Sequence, residues 1–178
     1  MVRDKRLSER LRALIRDVPD FPRPGVVFRD ITVLLADAGA FGDVVTAMAD
    51  PYREDAVAAV AGVESRGFIL GGGVAHALGA GFIAVRKQGR LPRAAVSEAY
   101  SLEYGEAVLE APADTVREGQ RVLIVDDLIA TGGTATATAA LLDRLGARVV
   151  GLAFLVELAG LGGAGALGSR RYTSLIVL

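Results

Sequence analysis

RVLIVDDLIATGGTATATAALLDRLG, Arg121 to Gly146, decides the reading of this chain. Four apolar residues, Val122 to Val125, run into two adjacent aspartates, then into Thr-Gly-Gly-Thr, then into a helix-forming run. A buried strand has no use for acids at its end, and an ordinary turn needs neither two threonines nor two glycines. Glycines let consecutive backbone N–H groups turn inward as an anion-binding nest. A helix that follows adds the positive end of its dipole, and Thr131 and Thr134 add hydroxyl donors. That combination describes a cradle for one phosphate. Successive strand side chains point to opposite faces, so Asp126 and Asp127 can share a ligand only where the strand ends. Carboxylates there suit vicinal hydroxyls, as in a ribose beside its phosphate. The competing reading has one acid capping the loop and the other solvated or on a metal.

The surrounding chain sets the frame. Its 178 residues suit one domain with one sizeable core. A net charge of −1 disfavours a general nucleic-acid surface. With no cysteine there is no disulfide or thiolate chemistry, and His76 as the single histidine excludes a multi-histidine metal cluster. His76 is expected on the apolar face of a helix, packed or at an interface. No apolar run reaches about 18 residues and the start is charged, so a cytoplasmic, non-membrane protein is expected. Lysine occurs only at positions 5 and 87, so Lys87 stands out in any candidate site.

Apolar spacing from Leu7 to Val18 predicts a first helix, Ser8 near its start, stopped by Pro19. A Pro-Gly turn then leads into a short extended piece at GVVFRD. A second helix ends at Pro51. Two strand–loop–helix units follow: a strand to about Ala61 with a loop through Arg66 and a helix to about Leu78, and the opening stretch itself. GFIAVRK and RVVGLAFLVEL read as further strands, EAYSLEYGEAVLEA as a hairpin bending near Tyr104-Gly105, and YTSLIVL as a closing strand. The glycine-rich run from Ala159 to Gly168 reads as loop or frayed helix. Strands alternating with helices predict an α/β fold, a mostly parallel twisted sheet flanked by helices. Ligands in such sheets sit beyond the carboxyl ends of the strands. Neither a P-loop nor a dinucleotide fingerprint is present: no lysine lies near the glycines at 132–133, and in GGGVAH a histidine stands where the third small residue belongs.

VLIVDDLIATGGT resembles the 5-phosphoribosyl 1-diphosphate (PRPP) motif of the type I phosphoribosyltransferases. DFPRPGVVFRDIT, AGVESRGF, VRKQGRLP, YSLEYGEAVLE and LVEL, in that order from near residue 20 to near 158, are similar to the adenine-using branch of that family. The resemblance implies transfer of ribose 5-phosphate from PRPP to adenine, giving AMP and pyrophosphate with Mg²⁺, in a homodimer that binds neither nucleic acid nor membrane. It implies one domain over 1–178, with a small hood at about 20–35 and a flexible hairpin lid at about 94–112.

The same resemblance assigns the site. Ala130, Thr131, Gly132, Gly133 and Thr134 would hold the 5-phosphate, and Asp126 and Asp127 the ribose hydroxyls. Glu64, Ser65 and Arg66, with a cis Glu64–Ser65 peptide, would bind pyrophosphate together with Lys87, Arg90 and Arg86, the last acting across the dimer. Arg90 stands where the family more often has lysine. The backbone at Val27 and Arg29 would pair with the adenine edge, with Phe28 stacking on the ring against Leu128. Glu103, with Tyr104 alongside, would be the acid/base on the lid. Magnesium would be held chiefly by substrate oxygens and water rather than by protein ligands. On the residues alone, GVESRGF and VRKQGR also read as exposed charged turns, SLEYG as a solvated hairpin and GVVFRD as an edge strand. The alternatives in function are a phosphoribosyltransferase for another purine and a non-catalytic PRPP-sensing regulator.

Overall fold

The computed structural model describes residues 5–102 and 105–178. Its centre is a seven-stranded sheet in the order β5-β6-β4-β3-β7-β8-β9. The strands are β3 (Ala59–Val63), β4 (Gly81–Lys87), β5 (Ala95–Leu102), β6 (Gly105–Pro112), β7 (Arg121–Ile129), β8 (Arg148–Glu157) and β9 (Tyr172–Val177). β4, β3, β7, β8 and β9 pair in parallel, and the β5–β6 hairpin adds antiparallel to β4. All five residues of β3 are buried, as a strand covered on both faces requires.

The helices are α1 (Lys5–Arg12), α2 (Thr32–Ala36), α3 (Ala38–Ala49), α4 (Arg66–Leu78), α5 (Gly133–Arg144) and the single turn α6 (Gly163–Ala166). Two apolar layers result. On one face Leu34, Val44, Met48, Leu70 and Val74 pack with Leu123, Val125 and Leu155. On the other Leu141 and Leu142 pack with Ile83, Val85, Ile124 and Phe154. α3 is capped by Asp37, whose carboxylate accepts from Ala40 N at 2.8 Å. α4 ends at Gly79, whose φ of +64° lets the next amide, of Ala80, reach back to Ala75 O at 2.9 Å.

The N-terminal region departs from its helical spacing. α1 stops at Arg12, and Arg16–Pro19 form β1, antiparallel to β2 (Val27–Asp30). Asp17 Oδ2 takes Arg12 Nη2 at 3.0 Å and Arg29 Nη1 at 2.5 Å, tying the hairpin to α1. Val18 is therefore a half-exposed strand residue rather than a core helix position. For His76 the structure excludes packing within the chain and leaves the interface expectation standing. α4 buries Gly67, Leu70, Gly71, Val74 and Ala75, and His76 lies off that face, exposed in its last turn. Among the described residues no helix is long and apolar enough to cross a membrane.

Candidate active site

Three loops meet at the carboxyl ends of adjacent parallel strands: those after β7, β3 and β4. β7 does not end at the acids, as its apolar run predicts, but continues to Ile129. The acids gain proximity in another way. Leu123 and Val125 face the α3–α4 layer and Val122 and Ile124 the α5 layer; beyond the acids the pattern is displaced by one, with Leu128 on the first side and Ile129 on the second. The alternation slips at Asp126–Asp127, and Asp126 Oδ1 accepts from Asp127 N at 2.9 Å.

Beyond β7 the loop closes around a cavity of about 140 Å³ lined by Asp126, Leu128 and the run from Ile129 to Ala135. That is several times a water's share of liquid volume, about 30 Å³. Gly132, at φ +84°, precedes α5 with no side-chain cap, so the first-turn N–H groups are left for a ligand. Thr136 and Thr138 hydroxyls donate back into the helix, to Gly132 O, Gly133 O and Thr134 O. Thr134 Oγ1 instead reaches Tyr100 Oη on β5 at 3.5 Å, and Thr131 is exposed at the rim.

The loop after β3 carries a cis Glu64–Ser65 peptide and leads directly into α4 at Arg66. A side chain on Gly67 would fall 2.7 Å from Asp126 Oδ1, so this position must be bare for α4 to lie against the acids. Arg66 Nε donates to Asp127 Oδ2 at 2.6 Å, and the Arg66 guanidinium sits 4.7 Å from the centre of the Phe28 ring. One side chain thus links the β1–β2 hairpin to β7. Val27, Phe28 and Arg29 all lie on β2, whose second edge pairs with no strand among the described residues. Glu64 Oε2 accepts from Arg86 Nε and Lys87 N, both at 3.2 Å, so its side chain faces the basic turn. Arg86 Nη1 also donates to Arg90 O at 2.8 Å, while Lys87 and Arg90 are exposed. Glu103 and Tyr104 lie outside the described residues, between Leu102 and Gly105, which pair across the hairpin.

Burial, and then the neighbouring Asp127, hold the Asp126 carboxyl well above the ordinary carboxylate range; the Asp127 N–H and Arg66 oppose them. The folded form therefore keeps its proton where the unfolded chain has lost it. Asp126 contributes its full stability below the unfolded value, near 3.9, and that contribution is lost as pH rises from there through the folded value. Asp126→Asn should accordingly raise the melting temperature at pH 7 and flatten its decline with pH, each kcal/mol regained appearing as about 2–4 °C. Melting curves from pH 4 to 8 check this; a lower melting temperature at pH 7 with an unchanged pH slope would refute it.

Two contributors escape sequence reasoning. Tyr100 meets Thr134 only because β5 lies along α5, where Arg144 Nη1 also bonds Ser97 O at 2.7 Å and Glu98 Oε2 at 2.8 Å. Asp17 is hidden inside an apparent helical repeat.

A model of the phosphoribosyl transferase domain matches residues 35–168. The adenine phosphoribosyltransferase of Myxococcus xanthus is 53% identical over 173 residues, 97% of this chain and 94% of that protein. The chain belongs to the adenine phosphoribosyltransferase family. Solved members of that family share the architecture. That from Rhodothermus marinus superimposes with a TM-score of 0.95 at 46% identity, covering 98% of this chain and all of that one. That from Saccharomyces cerevisiae, solved with adenine and an imino-altritol bisphosphate, gives 0.90 at 33% identity, covering 97% and 99%.

Proposed function

We propose that this protein transfers ribose 5-phosphate from PRPP to N9 of adenine, releasing pyrophosphate and forming AMP in the salvage of free adenine. The observation that carries the reading is the bare-backbone cavity at the end of β7, lined by Asp126 and next in sequence to Asp127, which Arg66 ties to Phe28 of the β1–β2 hairpin. Family membership supports it, and the yeast relative was solved with adenine bound. In the reaction the N9–C1′ bond forms as the bond from C1′ to the diphosphate oxygen breaks, and the N9 proton is lost.

Each part of the site has a task in that scheme. Ala130, Thr131, Gly132, Gly133 and Thr134 hold the 5-phosphate in amide and hydroxyl donors. Asp126 and Asp127 accept from the ribose hydroxyls. Arg66, Lys87 and Arg90, with the backbone of Glu64 and Ser65, compensate the charge that develops on the leaving diphosphate. Arg86 holds the β3 loop against the basic turn through Glu64. The backbone of Val27 and Arg29 reads the adenine edge, and Phe28 and Leu128 clamp its faces. An N–H facing N1 of adenine would meet another N–H in a 6-oxopurine, leaving donors unpaired. Glu103 and Tyr104, on a hairpin lid at about 94–112, shield C1′ from water and move the N9 proton.

Magnesium fits as part of the substrate. Its preferred ligands are hard oxygens, and Asp127 is already engaged by Arg66. Among the described residues no three His, Cys, Asp or Glu side chains converge as a cage. The ion would arrive on the diphosphate and neutralise part of its charge. We also propose one domain over 1–178, with the hood at about 20–35, and a homodimer. The dimer is supported by the exposed Ile69 on α4 and Phe82 on β4, the latter in edge contact with Phe68 at 5.7 Å.

The test is direct. Purified protein with PRPP, Mg²⁺ and each free purine should form AMP from adenine, at least about 100-fold more efficiently than product from hypoxanthine. A chelator should stop turnover. No AMP from adenine would end the proposal.

A further inference from the structure

The glycine-rich segment from Ala159 to Gly168 lies directly behind the phosphate loop. Its start is pinned where Leu158 N donates to Ile129 O at 2.9 Å, and its end is anchored by the buried Leu167. Between these points Gly163 is buried, and a Cβ on it would overlap the carbonyl oxygen of Ala130 and lie 2.8 Å from Ile129 Cγ1. From the other side, a Cβ on Gly132 would lie 2.8 Å from Gly163 O and 2.8 Å from Ala166 Cβ. Two stretches of bare backbone are in contact.

The consequence follows from peptide geometry. The Ala130–Thr131 peptide is not among the cis bonds, so its C=O and N–H point in opposite directions. The Ala130 oxygen lies nearer than its carbon to where a Gly163 Cβ would stand, so the carbonyl is directed at Gly163, which does not line the cavity, and the Thr131 N–H is directed to the opposite side, where Thr131 does line it. We propose that Gly163 is a positioning residue for the 5-phosphate: its missing side chain lets this segment set the Ala130–Thr131 peptide and aim one amide of the cradle. The proposal rests on the reading of this loop as the 5-phosphate site.

Calorimetric titration of AMP and adenosine into the parent protein, Gly163→Ala and Gly165→Ala tests it. Gly165 has nothing within 4 Å of where its Cβ would stand, so it controls for the same change in the same segment. The parent and Gly165→Ala should bind AMP more tightly than adenosine. Gly163→Ala should lose about 10- to 100-fold in AMP affinity, as for one hydrogen bond to a charged group, with adenosine affinity little changed. A Gly163→Ala protein that keeps the parent's AMP-to-adenosine ratio overturns the proposal. A parent that shows no preference for AMP overturns the phosphate reading beneath it. A second measurement does not depend on how the variant folds: in the parent, the Thr131 amide proton should move downfield as inorganic phosphate is added, and an unmoved resonance counts against the proposal.

Discussion

Arg66→Ala should melt well below the parent protein, by about 3–10 °C, while Asp127→Asn should cost much less. The Asp127 side chain is 8% exposed and that of Arg66 32%, so the two ends of this 2.6 Å pair are not equivalent. Removing the arginine strands a buried carboxylate beside Asp126. Breaking a buried pair costs about 3–5 kcal/mol. With one partner a third exposed, a discounted loss of about 1–3 kcal/mol is expected, which gives the stated shift for a chain of this size. Removing the acid's charge instead leaves a guanidinium that can turn to solvent. The double variant Arg66→Ala/Asp127→Asn should recover much of the loss. Thermal melts of the three variants decide the matter; a double variant no more stable than Arg66→Ala would show that the pair is not what Arg66 contributes. All three should raise KM for PRPP, since both side chains also belong to the proposed site.

Glu103→Ala should lower kcat by about 10²–10⁴, the usual range for a lost general acid or base, with KM for PRPP nearly unchanged. The argument is chemical. Attack at an anomeric carbon passes through an oxocarbenium-like state, and N9 must shed its proton as it becomes bonded. Asp127 is held by Arg66, Glu64 by Arg86 and the Lys87 amide, and Asp126, which takes the Asp127 N–H, is the acid proposed above for the ribose hydroxyls. Glu103 is the acid that the proposed function assigns to this proton. Steady-state kinetics with both substrates varied supply the test, and a kcat within about threefold of the parent's removes Glu103 from the mechanism.

How much of this was legible in advance varies from segment to segment. The β7–α5 connection is legible as a strand, a glycine turn and a helix because an apolar run, paired glycines and a helix-forming run are local signals. α4 and β3 were legible for a similar local reason, an apolar run followed by helical spacing. Ile15 and Val18 continue the period of α1, but Arg16–Pro19 pair with β2 as a strand, a long-range backbone pairing that the helical spacing does not reveal. His76 lies off the face that α4 buries within the chain, a face hard to read because its glycines and alanines carry weak periodic signal.

By itself, then, the sequence determined which segments form the central sheet and its flanking helices, where the glycine turn after β7 sits, and which family the chain resembles. These properties follow from near neighbours along the chain. Only the tertiary structure decided that Arg66 bridges Phe28 and Asp127, that Tyr100 reaches Thr134, and that Gly163 backs onto Ala130. Each of those contacts joins residues more than 30 positions apart. Their distances are set by how helices and strands stack, a constraint that no local pattern of residue types encodes.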